Sequence, residues 1–461
     1  MNFRSGGFAQ VVTVLGIAIT TFLLLNSSQG ILLALIMFFV SALWSLVKQS
    51  QESRKLGFSY FLLGNFWITL GFVLIFFISP IIILSTNVII TRQFENYDWK
   101  SGLGNAVLLG ALALFSLTFG DYLIQSRQKR NYLVEYLENR EVSMARTWVL
   151  VSIATVAYLG YISQTIGLRG IVSTRQYDAI QGVEFRIGYL KDAPIFCLGI
   201  FLVNFLAEKF KAKGTISVGM LFWISLSCVY LIPYLSKGSR SIFVYILVVV
   251  SIMQLIFSEQ RVKKRIFILL LVVLPLLIVS PRIYRSATDI SVSKITEGYS
   301  AQSVLETFTG PDTQMAPALS ILHQNLNQKV SYQYGKSYLA ALGKPIPRIL
   351  WPSKPEEFDK GLNRNLFPSI YRNYGVSFSA VSEPLVNFGL AGVVFFFTLL
   401  GSFNAYLRNR LDKRSIRNVF VYSWLVGFMF ILARGNLTTD YHRVVFPLMA
   451  GLLVLRKKKT F

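Results

Sequence analysis

The sequence has little of what a water-soluble enzyme or a nucleic-acid binder needs. Only 15% of its 461 residues are charged, against 53% that are apolar, too little polar surface for a soluble fold of that size. It has two cysteines, Cys197 and Cys228, each inside an apolar block with no CxxC partner and no histidine nearby. Neither a zinc site nor a structural disulfide is indicated. A Walker loop, a GxGxxG turn after a strand, a nucleophile elbow and a DxD motif for a nucleotide sugar are all missing. No metal and no cofactor is therefore expected. The two halves show no repeat of one another, which counts against a transporter, since many transporters are built from such repeats.

What the sequence does have is apolar runs of about 20 residues, the length of helix that crosses a bilayer core. They fall near 8–25, 30–47, 57–83, 101–124, 147–166, 192–207, 216–235, 240–257, 266–281, 380–402, 418–433 and 444–455. The expected fold is an all-α polytopic membrane protein of about twelve spans. The first run follows Arg4 as in a signal peptide, but no small-residue cleavage site follows it and Ile31 opens a second run at once, so a retained helix is expected. The formal charge of +24 is spread over short basic clusters between the runs, where it orients helices rather than binding nucleic acid. With about twelve spans every basic cluster and both termini fall in the cytoplasm, as the positive-inside rule requires. This divides the chain into about nine N-terminal spans over 1–281, one large extracytoplasmic loop over 282–378, and about three spans over 379–461.

The long polar loop is where function is expected, as in other long loops held on a rigid scaffold. Near the outer boundary stand Lys237 and Arg240, both where the positive-inside rule disfavours them. They either snorkel to headgroups or hold an anion, and a guanidinium suits a phosphate because its donors are planar and paired. Arg434, His442 and Arg443 bracket a short outer connection that contains Asp440. His442 is either structural or a group for phosphate binding or proton transfer; His323 in the long loop reads as structural. Glu383 begins an apolar helix just before Pro384, either as a carboxylate favoured by the helix dipole or as a general base acting on a sugar hydroxyl. The loop aromatics, Trp351 among them, either stack on sugars or form an interfacial belt. Tyr332 to Leu342 has near-helical spacing that suits a helix lying on the membrane.

The run Pro345-Ile-Pro-Arg-Ile-Leu-Trp-Pro-Ser-Lys-Pro355, followed by Ser379-Ala-Val-Ser-Glu-Pro-Leu-Val-Asn-Phe-Gly389 and Gly392, resembles the Wzy-type oligosaccharide repeat-unit polymerases of bacterial O-antigen and capsule synthesis. So do Gly238-Ser-Arg240 before a helix and the single large outer loop. Arg364 and Gly375 also have the spacing of an arginine and a glycine separated by ten residues that some members carry. The resemblance implies a GT-C-like membrane glycosyltransferase in the bacterial cytoplasmic (inner) membrane. Its donor would be a glycan on undecaprenyl diphosphate and its acceptor a second lipid-linked repeat unit. It would work beside a flippase and a chain-length regulator of the same pathway. On this reading Arg240, Arg348, Arg434 and Arg443 hold phosphates, and Lys237, Trp351, Lys354 and Arg364 join them around the substrate. Glu383 is the leading base and His442 the alternative. An O-antigen ligase and a flippase for lipid-linked sugars are the rival readings.

Overall fold

The structure is a computed structural model that describes residues 5–26, 30–56, 63–86, 94, 96–127, 140–165, 192–211, 217–236, 240–257, 314–343, 346, 350–353, 355, 356, 358–368, 376–411 and 415–457. The regular elements among them are helices apart from β1 (Arg140–Val142) and β2 (Leu455–Lys457), which pair antiparallel. The helices of the first half are α1 (Ser5–Leu25), α2 (Ile31–Leu56), α3 (Gly64–Val73), α4 (Ser79–Thr86), α5 (Leu103–Arg127), α6 (Met144–Thr165), α7 (Ala193–Lys211), α8 (Val218–Ser236) and α9 (Arg240–Phe257). Then come α10 (Met315–Gln324), α11 (Lys336–Leu342), α12 (Phe358–Leu366), α13 (Ser382–Asn409), α14 (Ile416–Arg434), α15 (Leu437–Asp440) and α16 (His442–Val454). Between α3 and α4 the chain widens into a π turn, Leu74–Ile78. Pro80 explains it: proline has no N–H to give and its ring crowds the carbonyl one turn back, so the hydrogen-bond ladder re-registers just before it.

Seven helices are long and apolar enough to cross a membrane, and four shorter apolar ones accompany them. Together they stand at eleven of the twelve expected places; the other, 266–281, lies outside the described residues. The chain is a multi-pass membrane protein. Its helices meet where side chains are smallest. A methyl group on Gly120 of α5 would collide with the Thr398 carbonyl of α13, and one on Gly401 with the Leu117 carbonyl. Such close backbone approach is how helices associate when lipid removes the hydrophobic drive between them.

α5 and α13 run in the same direction, so the bundle has two distinct ends. At the end where both finish, Arg408 grips Asp121 with two hydrogen bonds of 2.8 and 3.3 Å, and Asn404 bonds Asn65. The Lys48 ammonium sits 5.7 Å from the Tyr122 ring centre at the same end. α16 begins at the opposite end and delivers β2 here, so the basic segments around Arg140 and Arg456 lie on this side too. That is the clustering of positive charge expected from the sequence.

The other end carries the described part of the large loop. This loop is not all water-exposed: Met315 to Leu322 of α10 are buried, and Ser320 donates to the Trp99 carbonyl at 2.6 Å. An apolar run that short cannot span a bilayer, and it packs instead against the start of α5. α13 breaks sharply at Phe388 and Gly389, where Gly389 takes φ 65°, a backbone state that only glycine adopts at little cost. The break frees two carbonyls. The N–H groups of Gln333 and Tyr334 fill them, bonding Val386 O at 3.0 Å and Asn387 O at 3.2 Å.

Candidate active site

Glu383 lies in the first turn of α13 and is buried, 1% exposed. Pro384 follows at a position that needs no N–H, and the positive end of the helix favours the carboxylate there. Oε1 accepts from the Ser337 hydroxyl of α11 at 2.8 Å, and Oε2 accepts from the Thr438 backbone N–H of α15 at 3.1 Å. Asn387, one turn further along α13, fixes the direction of these bonds. Its Oδ1 accepts from Gly335 N, so its amide nitrogen must face Ser337 Oγ and the Glu383 carbonyl, each at 2.8 Å. Because Ser337 Oγ accepts from Asn387, its own proton points at Glu383. Both Glu383 oxygens therefore accept.

Thr438 is aimed by a second network. Asn436 caps α15, its Oδ1 accepting from Thr439 N at 2.9 Å and from the Thr438 hydroxyl at 3.2 Å. The Asn436 amide nitrogen in turn bonds Asp359 Oδ1 of α12 at 2.5 Å, and Thr439 Oγ1 bonds Asp359 Oδ2 at 3.2 Å. Burial first, and then the Asp440 and Glu383 carboxylates, push the Asp359 carboxyl up to about 8, since each disfavours a further negative charge. The same neighbourhood acts on Tyr338 of α11, whose phenol burial and Glu383 drive well upward.

Three of the expected residues belong to this end. Arg443 pairs with Asp440 at 2.7 Å, and His442 Nε2 stands 3.7 Å from Asp192 Oδ2. Arg434 closes α14 one residue before the Gly435-Asn436 turn, half-buried. Trp351 and Arg364 stand in the large loop at the same end, with other partners. The Trp351 ring covers Gly343 and lines an open groove with Lys336, Leu339 and Ile346. Arg364 is exposed and paired with Glu356 at 2.8 Å. Arg240 opens α9; its side chain, like Lys237, Arg348, Lys354 and Gly375, lies outside the described residues. His323 ends α10 mostly buried, and that burial lowers its pKa, as suits a structural histidine.

Sequence reasoning missed Ser337, Asn387, Asp359, Asn436 and Thr438. Two signals were present: Asn387 follows Glu383 by four residues, one helical turn, and Asn-Leu-Thr-Thr-Asp440 has the pattern of a capped turn. No group of three or more histidine, cysteine, aspartate or glutamate residues able to hold a metal occurs among the described residues.

An all-helical multi-pass bundle that carries a hydrogen-bonded carboxylate at the end opposite its basic clusters defines a membrane-embedded protein with a polar site at one boundary. Comparison with known families identifies which. The family model described as O-antigen polysaccharide polymerase Wzy matches residues 8–459, and the chain belongs to that family. Its activity class is accordingly the polymerisation of O-antigen polysaccharide. No curated protein and no solved structure matches the chain.

Proposed function

We propose that the protein joins oligosaccharide repeat units carried on undecaprenyl diphosphate, at the outer face of the bacterial cytoplasmic membrane, with Glu383 as the general base. The observation that carries this reading is the geometry of Glu383. It is a carboxylate whose two oxygens are both held as acceptors by fixed donors, at the bundle end away from the basic clusters. A base must be ionised before it acts and must be held where the proton arrives. The positive-inside rule puts the opposite, basic end in the cytoplasm together with both termini, in a GT-C-like arrangement of about twelve spans.

In the reaction, a hydroxyl oxygen of the acceptor sugar attacks the anomeric carbon of the donor glycan. Its proton passes to Glu383. The bond from that carbon to the diphosphate breaks, and the lipid diphosphate leaves with the electron pair. Arg434 and Arg443 stand at this end, and Arg240 and Arg348 join them in neutralising the departing charge; paired guanidinium donors suit diphosphate oxygens. Lys237, Trp351, Lys354 and Arg364 extend the surface for the glycan. Glu383 is covered by α11 through Ser337. A flippase supplies the lipid-linked units from the other side, and a chain-length regulator acts on the product.

The test sets Glu383→Gln beside His442→Ala in a strain whose surface glycan is read as a ladder. Loss of polymer in Glu383→Gln, with lipid-linked single repeats accumulating, supports the reading. Normal polymer in that variant together with failure of His442→Ala moves the base to His442.

A further inference from the structure

Helix α12 of the large loop touches the Glu383 site by two routes, and both leave from one face. Asp359 and Asn363 are four residues apart, one turn of helix, so their side chains point the same way. Asp359 takes the Asn436 amide and the Thr439 hydroxyl, the two groups that build the capped turn from which Thr438 N–H reaches Glu383. Asn363 closes a two-bond clasp on the backbone of Val376, accepting from its N–H at 2.8 Å and donating to its carbonyl at 3.0 Å. Val376 leads directly into Ser382 and Glu383. Phe358, Leu362 and Leu366 of α12 are buried, so the helix is seated rather than loose, while Lys360 and Arg364 face solvent.

The Asn436 amide is the hinge of this arrangement. Its nitrogen faces Asp359 while its oxygen accepts from Thr438 and Thr439. The Thr439 N–H can only donate, so it sets the oxygen end of the amide toward the turn, and Asp359 holds the nitrogen end in place. A turned amide would offer N–H to Thr439 N–H, and the turn would lose its cap.

We infer that Asp359 is a positioning residue for the polymerisation step: by seating α12 on the α15 turn it aims the Thr438 N–H at Glu383, so that docking of the outer loop assembles the base. This rests on the reading of Glu383 given above. Asp359 itself touches no reacting atom; it acts through Asn436 and Thr438.

The experiment uses the full-length purified protein in lipid nanodiscs and a purified undecaprenyl-diphosphate-linked repeat unit. Initial rates are measured for the parent protein, Asp359→Ala, Asp359→Asn and Glu383→Gln. Misplacing a catalytic group by about an ångström costs on the order of a hundredfold in rate. Asp359→Ala is therefore expected to lower kcat by at least about tenfold while KM for the lipid-linked unit stays within about twofold. Asp359→Asn keeps the shape and an acceptor for Asn436, and is expected to recover most of kcat. Hydrogen exchange supplies a readout independent of catalysis: amides 437–440 should exchange faster in Asp359→Ala, with α5 still protected. Unchanged kcat in Asp359→Ala, an Asn variant as poor as the Ala variant, or unchanged exchange at 437–440 would each overturn the inference. If Asp359→Ala does not accumulate, Thr439→Val removes one of the two bonds and carries the same exchange test. A fully active Glu383→Gln sinks the base assignment alone, because exchange at 437–440 still judges the seating role.

Discussion

Replacing Glu383 by glutamine separates chemistry from architecture, because the two losses differ greatly in size. Glutamine keeps one oxygen, and the Thr438 N–H requires it. The glutamine amide nitrogen then faces Ser337 Oγ, which already accepts from Asn387. A hydroxyl has two lone pairs and accepts both, leaving only its own proton unplaced. The structural cost is thus about one hydrogen bond, ~1 kcal/mol. Removing a general base costs about 10²- to 10⁴-fold in rate, ~2.7–5.5 kcal/mol of barrier. The variant should therefore reach the membrane at normal level and bind lipid-linked substrate, yet extend it at least about a hundredfold more slowly. Extension of a fluorescently labelled lipid-linked repeat, resolved as a ladder on a gel, measures this. A rate within threefold of the parent, at equal protein level, would refute the base assignment.

Other outcomes follow from different parts of the molecule. Asp121→Leu removes the carboxylate that Arg408 is hydrogen-bonded to, leaving the buried guanidinium only the weaker influence of Glu52, with its Nε already lacking a hydrogen-bond partner. A loss of about 3–5 kcal/mol is expected by thermal unfolding in detergent, and the double variant with Arg408→Met should recover most of it. Asp359 keeps a proton up to about pH 8 when seated but releases it near the ordinary value of 3.8 when unseated. Seating therefore weakens as pH rises from about 4 to 8 and changes no further above that. Asp440 and Glu383 face Asp359, and Arg443 is tied to Asp440. Thermal stability should accordingly fall from pH 6 to 8 more steeply in the parent than in Asp359→Asn. Ser353 is exposed in the loop, and Ser353→Cys should label with an impermeant thiol reagent in cells whose inner membrane is intact. Labelling only after that membrane is broken would reverse the topology.

The helices were legible because an apolar run carries its own length signal, and the two-ended distribution of charge was legible for the same reason. Glu383 was legible because a carboxylate at the start of an apolar helix is an expensive choice without a reason. Its partners were not. Ser337 and Thr438 lie 46 and 55 residues away in sequence, and serine and threonine in polar segments carry no pattern that distinguishes a donor to Glu383 from a solvated hydroxyl. Asp359 was not legible either, because its meaning comes from the Asn436 turn folded against it. Arg364 was legible only through the family resemblance, and its pairing with Glu356 on the loop surface was not. α10 was hidden inside a polar loop because an apolar run of that length gives no membrane signal, yet it is buried at the start of α5.

The most direct test is whether this protein alone converts lipid-linked repeats to polymer. Purified protein in nanodiscs, given one undecaprenyl-diphosphate-linked repeat unit without metal or nucleotide, should produce a ladder of glycans still bound to lipid. It should also release one undecaprenyl diphosphate for every glycosidic bond formed. A ladder without matching release of lipid diphosphate, or no ladder while the substrate remains intact, would contradict the proposed function.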